Sequence, residues 1–573
     1  MADVDTNDVS RPWEASYPAG VNWHAPIEVG PLPALLERTA ALRGDKTAFD
    51  FLGHTTTWAE ADAAATRIAA GLQAMGLTKG ARLGLLLPNC PAYPLLFFGA
   101  LKAGLTVVNC NPLYTEREIE AQIRDAGVTV VAAVDVATIY AKASALLARG
   151  VLQRIIVCPF AEMMPAGKRM LFRLFRRKEL ALVPHDARHI RLPELAACTD
   201  PLQPVTIDPQ LDIAVLQYTG GTTGTPKGAM LTHANLYANT VQMRLWFKDV
   251  KPGQERVLAV LPFFHVFAMT TVLLAAVDGG QEIIMLPRFE LTSVIRTIAR
   301  RRPTMLPGVP TLFAAIAGYR GKADLSSIRF CISGGAPLPQ EVKRNFEART
   351  GCTLVEGYGL TEASPCISCN PPDGRNKAGS IGLPFPGTDI SLRGLDDPLR
   401  RVAQGESGEL CVRGPQVMRG YWNRPEETRD AFVGGWLRTG DVAVMDDDGY
   451  FAIVDRIKDL ILVNGFNVYP RAVEEAIYRH PAVAECTVIG VPDPYHGEVA
   501  KAFVVCKPDK ALQGAELALF LRDHLAPIEL PRQIEFRDSL PKTLIGKLSK
   551  KELIAEERAR FAASQEGAES VGR

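Results

Sequence analysis

The chain has 573 residues, 64 Lys and Arg against 63 Asp and Glu, and 47% hydrophobic residues against 22% charged. That composition can bury a sizeable core and excludes disordered, collagenous and low-complexity classes. A net charge of +1 also excludes a protein whose main work is coating nucleic acid, so no nucleic-acid partner is expected. Eleven cysteines without framework spacing read as free thiols of a reducing compartment. Cys366 and Cys369 form a C-x-x-C, but no second Cys/His pair lies near enough to complete a zinc site. The polar, acidic N-terminus has no apolar signal core, which predicts a cytoplasmic chain.

From residue 32 to about 157, helical and strand patterns alternate: PALLERTAAL, AFDFL, EADAAATRIAAGLQAMG, RLGLLL, AYPLLFFGALKAG and TVVN. Such alternation predicts an α/β architecture with covered sheets. The most apolar stretch, 83–109, is interrupted by Pro88, Asn89, Pro91, Pro94 and Lys102 and reads as strand, turn and buried helix rather than a membrane span. Residues 160–200 break the rhythm as an insert containing KRMLFRLFRRK (168–178), with six basic residues and no acid. At helical spacing Met170, Leu171, Phe172, Leu174 and Phe175 share one side, with Arg169, Arg173, Arg176 and Arg177 on the other. Two readings stand open: peripheral association with an anionic membrane surface at its inner face, or packing on the protein's own domain.

The α/β rhythm resumes after 210 with IAVLQYT, RVLAVLP, EIIML, TMLPGVP, RFCISG and TLVEGYG as strands, and with TSVIRTIARRR and PQEVKRNFEAR as helices. From about 380 short glycine-rich β segments (GELCVRG, GWLRTGD, GYFAIVDR) predict a β subdomain. From about 459 a helix, two strands, a helix and a strand predict a small α+β domain. The expected fold class is therefore α/β: a large N-terminal region of αβ-layered subdomains plus a β subdomain (1–457), then a small mobile α+β C-terminal domain (458–573). The tail 563–573, rich in Ser, Glu and Gly, is expected to be frayed.

The sharpest chemical signal is YTGGTTGTPKG (218–228), directly after an apolar strand run. A Gly/Thr-rich turn leaving a strand offers backbone N–H groups and hydroxyls in a concave nest, as a polyphosphate requires. It is not a Walker A loop, because Pro226 precedes Lys227 and Gly228 follows it.

This loop resembles the phosphate-binding signature of the adenylate-forming enzymes, a superfamily of acyl-CoA synthetases, aryl-CoA ligases, luciferases and peptide-synthetase adenylation domains. LPFFHVFAM (261–269), SGGAPL (333–338), EGYGLTEASP (356–365), WLRTGD (436–441), VDRIKDLILVNGFNVYP (454–470) and PKTLIGK (541–547) follow in the family's order. The run from GGWLRTGD to YPRAVEEAI looks most like bacterial long-chain fatty acyl-CoA synthetases. The resemblance implies ATP-dependent activation of a medium- or long-chain fatty acid, or another carboxylic acid, as acyl-AMP, followed by transfer to coenzyme A. The cofactors implied are ATP, magnesium and coenzyme A. A homodimer is compatible with the resemblance.

Site residues carry over by motif. Thr219, Gly220, Gly221, Thr222, Thr223 and Gly224 would hold the β- and γ-phosphates, with Lys227 as a neighbouring charge. Gly335 of SGGAPL joins the nucleotide site. Glu362 matches the magnesium-binding carboxylate, Thr361 the hydroxyl beside the α-phosphate, and Tyr358 the aromatic ring stacked on adenine. Asp441 would accept from both ribose hydroxyls, supported by Arg456. His265 lines the acyl entrance, and Met269 stands where some long-chain synthetases carry a tryptophan gate. Lys547 matches the adenylation lysine, Lys458 the hinge, and Gly465 the loop through which the pantetheine thiol enters.

Other readings are a CoA ligase for dicarboxylic or aromatic acids, a kinase or ATPase transferring the γ-phosphoryl group, and an acyl-binding protein with decayed catalysis. The Pro226-Lys227-Gly228 ending and the downstream motifs speak against γ-phosphoryl transfer. The retention of Glu362, Asp441, Arg456 and Lys547 speaks against decay.

Overall fold

The computed structural model describes residues 11–219, 226–372, 374–464, 466–493, 495–508, 510–542 and 548–571. Two large sheets organise the region before residue 386. In the seven-stranded sheet Arg82–Leu86, Thr106–Asn109, Val130–Val134, Arg154–Cys158, His189–Arg191 and Ile213–Thr219 pair in parallel, and Lys227–Thr232 returns antiparallel to Ile213–Thr219. The nine-stranded sheet has a parallel centre that includes Met305–Gly308, Phe330–Ser333 and Leu354–Gly359, with antiparallel pairs at both ends. Strands buried on both faces need unbroken apolar runs, which is how VVAAV and RIIVC read. The helix Ala92–Lys102 packs as predicted, with every residue but one buried.

The antiparallel return over Lys227–Thr232 is not in the sequence reading and bears directly on the site. It places Lys227 opposite Thr219 at the mouth of a hairpin. Thr232 then starts the buried helix His233–Trp246 with a capping box: its Oγ1 accepts from Asn235 N at 3.1 Å, and Asn235 Oδ1 accepts from Thr232 N at 3.0 Å. A cap of this kind is worth about 1 kcal/mol and fixes where the hairpin ends.

The β subdomain is a five-stranded antiparallel sheet that includes Gly408–Arg413, Trp436–Met445 and Phe451–Arg456. It shares one continuous core with the two large sheets, from Trp13 to Phe451. The C-terminal domain has its own core around Ile461, Val488, Ala502 and Leu517, under the helices Pro470–Tyr478 and Gly514–Leu521. The chain crosses between them at Ile457–Asp459. There the Asp455 carboxylate accepts from Arg471 N at 2.8 Å, capping the first turn of Pro470–Tyr478 from the other domain.

The last helix is Lys550–Val571. The basic insert does form a helix, Ala166–Phe175, but only Phe172 of its five apolar side chains turns inward, with its ring centroid 6.0 Å from that of Phe160. Met170, Leu171, Leu174 and Phe175 are 66%, 51%, 70% and 74% exposed. Lys168 Nζ donates to Leu52 O at 2.8 Å, so the helix is held by its Lys168 and Phe172 edge rather than by its apolar side.

Candidate functional site

The motif LVEGYGLTEA builds the centre of the site. Leu354–Gly359 runs parallel to Phe330–Ser333, and the chain then reverses through a 3-10 turn, Thr361–Ala363, into the antiparallel strand Cys366–Cys369. Gly359 is required there: a Cβ would stand 1.9 Å from Pro365 O. The reversal is therefore tight, and it lifts Thr361 and Glu362 clear of the sheet edge. Gly335, in the turn after Phe330–Ser333, has φ +78°, so glycine is needed for the backbone and not for space.

Glu362 is held at two points by the segment after the β subdomain's second strand. Its main-chain oxygen accepts from Met418 N at 2.7 Å, and its Oε1 accepts from the Tyr421 hydroxyl at 2.7 Å. Lys227 Nζ lies 5.4 Å from the Tyr421 ring centroid, within cation–π reach. Burial raises the Glu362 carboxyl above its ordinary range, while the Tyr421 hydrogen bond and the charges of Arg456 and Lys227 oppose the rise.

A second group flanks the first. Asp441 and Arg456 are cross-strand partners in the β subdomain, and Arg456 Nε lies 3.0 Å from Asp441 Oδ1. The Tyr358 hydroxyl donates to Asp441 Oδ2 at 2.6 Å, and Asp441 N donates to Thr439 Oγ1 at 3.1 Å. Burial pushes the Tyr358 hydroxyl well above the usual phenol range, and the Asp441 charge adds to it. Tyr358 is thus tied to Asp441 through its hydroxyl, a contact absent from the sequence expectation. A carboxylate has about four lone-pair sites, so Asp441 keeps acceptor capacity beyond these two bonds.

The remaining expected residues sit as follows. Thr219 ends its strand opposite Lys227. His265 caps the short helical segment Val266–Ala268, its Nδ1 accepting from Phe267 N at 3.3 Å. Met269 is fully buried, with its sulfur 3.4 Å from Asn109 Nδ2, at the start of a π-helical turn. A cleft of 2360 Å³ runs beside this motif, lined by Leu261, Phe264 and Leu312, by Leu171 and Phe175 of the basic helix, and by Val505 of the C-terminal domain. Lys458 sits in the crossing turn Ile457–Asp459, and desolvation by its surroundings lowers its ammonium pKa below the usual range. Gly220, Gly221, Thr222, Thr223, Gly224, Gly465 and Lys547 lie outside the described residues. Cys366 and Cys369 are buried strand residues.

Sequence reasoning missed Tyr421, Asp125 and Arg424. The Tyr218 hydroxyl donates to Asp125 Oδ2 at 2.6 Å, Arg424 Nη2 reaches Asp125 Oδ1 at 2.7 Å, and Trp422 Nε1 donates to Asp125 O at 3.1 Å. The aromatic and basic run RGYWNRP (419–425) was a visible signal. Its partner Asp125, 299 positions before Arg424, was not.

The carboxylates, hydroxyls and cations of these groups, beside the Thr219–Lys227 strand pair, agree with family comparison. The model of the AMP-binding enzyme family matches residues 36–422, and that of the AMP-binding enzyme C-terminal domain matches 472–547. The chain belongs to the AMP-binding enzyme family. It is 44% identical to a long-chain-fatty-acid–CoA ligase of Bacillus subtilis over 554 residues, covering 96% of this chain and 98% of the relative. A feruloyl-CoA synthase of an Amycolatopsis species is 38% identical over 519 residues, covering 90% and 97%. Among solved structures, the anthranilate CoA ligase AuaEII in complex with anthranoyl-AMP superposes with a TM-score of 0.82 at 26% identity, covering 94% of this chain and 99% of that one. Together with the geometry, these matches establish the mixed α/β fold and its separate C-terminal domain for this family member.

Proposed function

We propose that this protein is an AMP-forming acyl-CoA ligase acting on medium- or long-chain fatty acids, using ATP, magnesium and coenzyme A. The observation that carries the reading is the convergence of two groups, Tyr358–Asp441–Arg456 and Lys227–Tyr421–Glu362, with the mouth of the 219–227 hairpin. The identity of 44% to a fatty-acid ligase, against 38% to a feruloyl-CoA synthase, supports an alkyl acid, as does the apolar wall of Leu261 and Phe264.

A carboxylate repels nucleophiles. Joining it to AMP removes the charge and supplies a leaving group, but two anions must first be brought together. Fixed cations and N–H dipoles in a sequestered cleft offset that repulsion most effectively because they need no reorganisation. In this reading Asp441 accepts from the ribose hydroxyls and is aimed by Arg456. Tyr358 offers its ring face to adenine, and Gly335 lets the backbone approach the nucleotide. Thr219 and residues 220–224 hold the terminal phosphates with Lys227 at their side, and Thr361 faces the α-phosphate. The half-buried Glu362, whose side-chain hydrogen-bond partner Tyr421 is a neutral donor, fits a hard cation that also takes phosphate oxygens and water. Magnesium there would neutralise phosphate charge. Among the described residues no cluster of three or more His, Cys, Asp or Glu forms a cage that would hold a metal without the nucleotide.

His265 is assigned to shaping the acyl entrance and Lys547 to bridging the acyl carboxylate and the α-phosphate. Lys458 is the hinge about which the C-terminal domain withdraws Lys547 and brings in the loop at Gly465 for coenzyme A. The test is AMP release across monocarboxylic, dicarboxylic and aromatic acids of graded length. The expected optimum is a medium- or long-chain monocarboxylate. A preference for an aromatic acid would replace the substrate assignment.

We also propose peripheral association of residues 168–178 with an anionic membrane surface. Four outward apolar side chains beside Arg169, Arg173, Arg176 and Arg177 support it over packing on the protein. No helix among the described residues is long and apolar enough to cross a membrane.

A further inference from the structure

Tyr421 lies on a short strap, 418–424, that touches each described part of the phosphate site. Arg419 N donates to Met230 O at 3.1 Å, Met230 N to Gly420 O at 2.9 Å, and Trp422 N to Gly228 O at 2.8 Å, so the strap extends Lys227–Thr232 as an antiparallel partner. Tyr421 N donates to Thr428 Oγ1 at 2.9 Å. Gly420, at φ +142°, lets the strap pass Thr428: a Cβ there would lie 2.7 Å from Thr428 Cγ2. Asp125 ties the strap's Arg424 to Tyr218 on the other arm of the hairpin. The backbone on which Tyr421 is mounted is therefore fixed from both arms.

We propose that Tyr421 is a positioning residue, which holds the Glu362 carboxylate in the orientation that receives the metal–nucleotide complex. The chemistry of the donor carries the point. A phenol hydroxyl fixes one carboxylate oxygen without cancelling its charge, so a full negative charge stays available to a cation through the other oxygen. A lysine or arginine in the same place would aim the group equally well and neutralise it. Lys227 Nζ lies 5.4 Å from the ring centroid, within reach of a cation–π contact, so the ring that carries the hydroxyl also meets the lysine. Without the hydroxyl, Glu362 keeps its main-chain bond to Met418 N, but its side chain can rotate.

This inference rests on the assignment of Glu362 as the metal-binding carboxylate, and the test separates the two. The dissociation constant of α,β-methylene-ATP is measured by calorimetry on the full chain, with and without Mn²⁺, for the wild type, Tyr421→Phe, Glu362→Gln and the double variant. The ratio of the two constants reports how strongly metal and nucleotide support each other. Tyr421→Phe keeps the ring over Lys227 and should reduce that ratio about tenfold, as expected for losing a hydrogen bond to a charged group. It should have no further effect in the Glu362→Gln background. An unchanged ratio in Tyr421→Phe beside a reduced one in Glu362→Gln overturns the positioning role alone. An unchanged ratio in Glu362→Gln overturns the metal assignment beneath it. Equal weakening of nucleotide binding with and without metal in Tyr421→Phe would mark a merely structural tyrosine, and that also contradicts the proposal.

Discussion

The nucleotide-facing centre and the basic helix Ala166–Phe175 are built from the same kinds of side chain, aromatics and arginines, and treat them in opposite ways. At the centre, Tyr358, Asp441 and Arg456 satisfy one another, and Tyr421 engages Glu362. On the helix, one phenylalanine packs and four large apolar residues face out beside arginines. The first arrangement is preorganised for a small, charged, deeply held ligand. The second has the complementarity of an extended surface that is both apolar and anionic. Substitutions in the first should change chemistry and leave membrane binding alone, and those in the second should do the reverse.

The largest effect belongs to Lys547→Ala. Acyl-AMP formation should fall roughly 100- to 1000-fold, the usual cost of one preorganised transition-state contact. Thioester formation from supplied acyl-AMP should survive. A loss below about tenfold would remove Lys547 from the first step.

Next is the pH dependence of stability set by Glu356, two residues before Tyr358. Burial raises its carboxyl to about 7, against the opposing pull of Arg471, the Leu338 N–H and Lys343 and with added repulsion from Glu475. The folded state keeps this proton up to about pH 7, whereas the unfolded chain releases it near the ordinary 4.5. Between those values the unfolded state binds fewer protons, so the contribution of Glu356 is present below pH 4.5 and is lost as pH rises towards 7. The loss is roughly 3 kcal/mol in all at about 1.4 kcal/mol per pH unit. Glu356→Gln should therefore gain in melting temperature over the wild type between pH 5 and pH 8. A pH-independent difference would show that burial does not govern this carboxyl.

Asp441→Asn should weaken ATP binding by about 10- to 100-fold, since a charge-assisted hydrogen bond is worth about 1.5–3 kcal/mol. Liposome binding should not change. The smallest effect is expected when Arg169, Arg173, Arg176 and Arg177 are replaced by Gln. At up to about 1 kcal/mol per basic residue before screening, binding to anionic liposomes should fall at least tenfold at low salt, with AMP formation from a soluble acid retained. Unchanged liposome binding would return the helix to the packed alternative and erase the contrast between the two regions.

Much of this was legible in the chain. Buried strands such as VVAAV, the buried helix Ala92–Lys102 and the strand that leads into the glycine-rich loop declare themselves because their signals are local. Thr361, Glu362, Asp441 and Arg456 are legible as motif members. Their linkage is not, because Tyr421 meets Glu362 across 59 positions and Tyr358 meets Asp441 across 83. Periodicity showed that the insert forms an amphipathic helix. It could not show its rotational setting, which depends on Phe160, Glu162 and Leu52 waiting beneath Phe172, Arg173 and Lys168.

The most direct test of the central claim follows oxygen from the acid. A fatty acid with ¹⁸O in both carboxylate positions is turned over with ATP, magnesium and coenzyme A, and the products are examined by mass spectrometry. Attack of the carboxylate on the α-phosphate predicts one ¹⁸O in each AMP released and unlabelled pyrophosphate. Label in inorganic phosphate with ADP as the nucleotide product would contradict it.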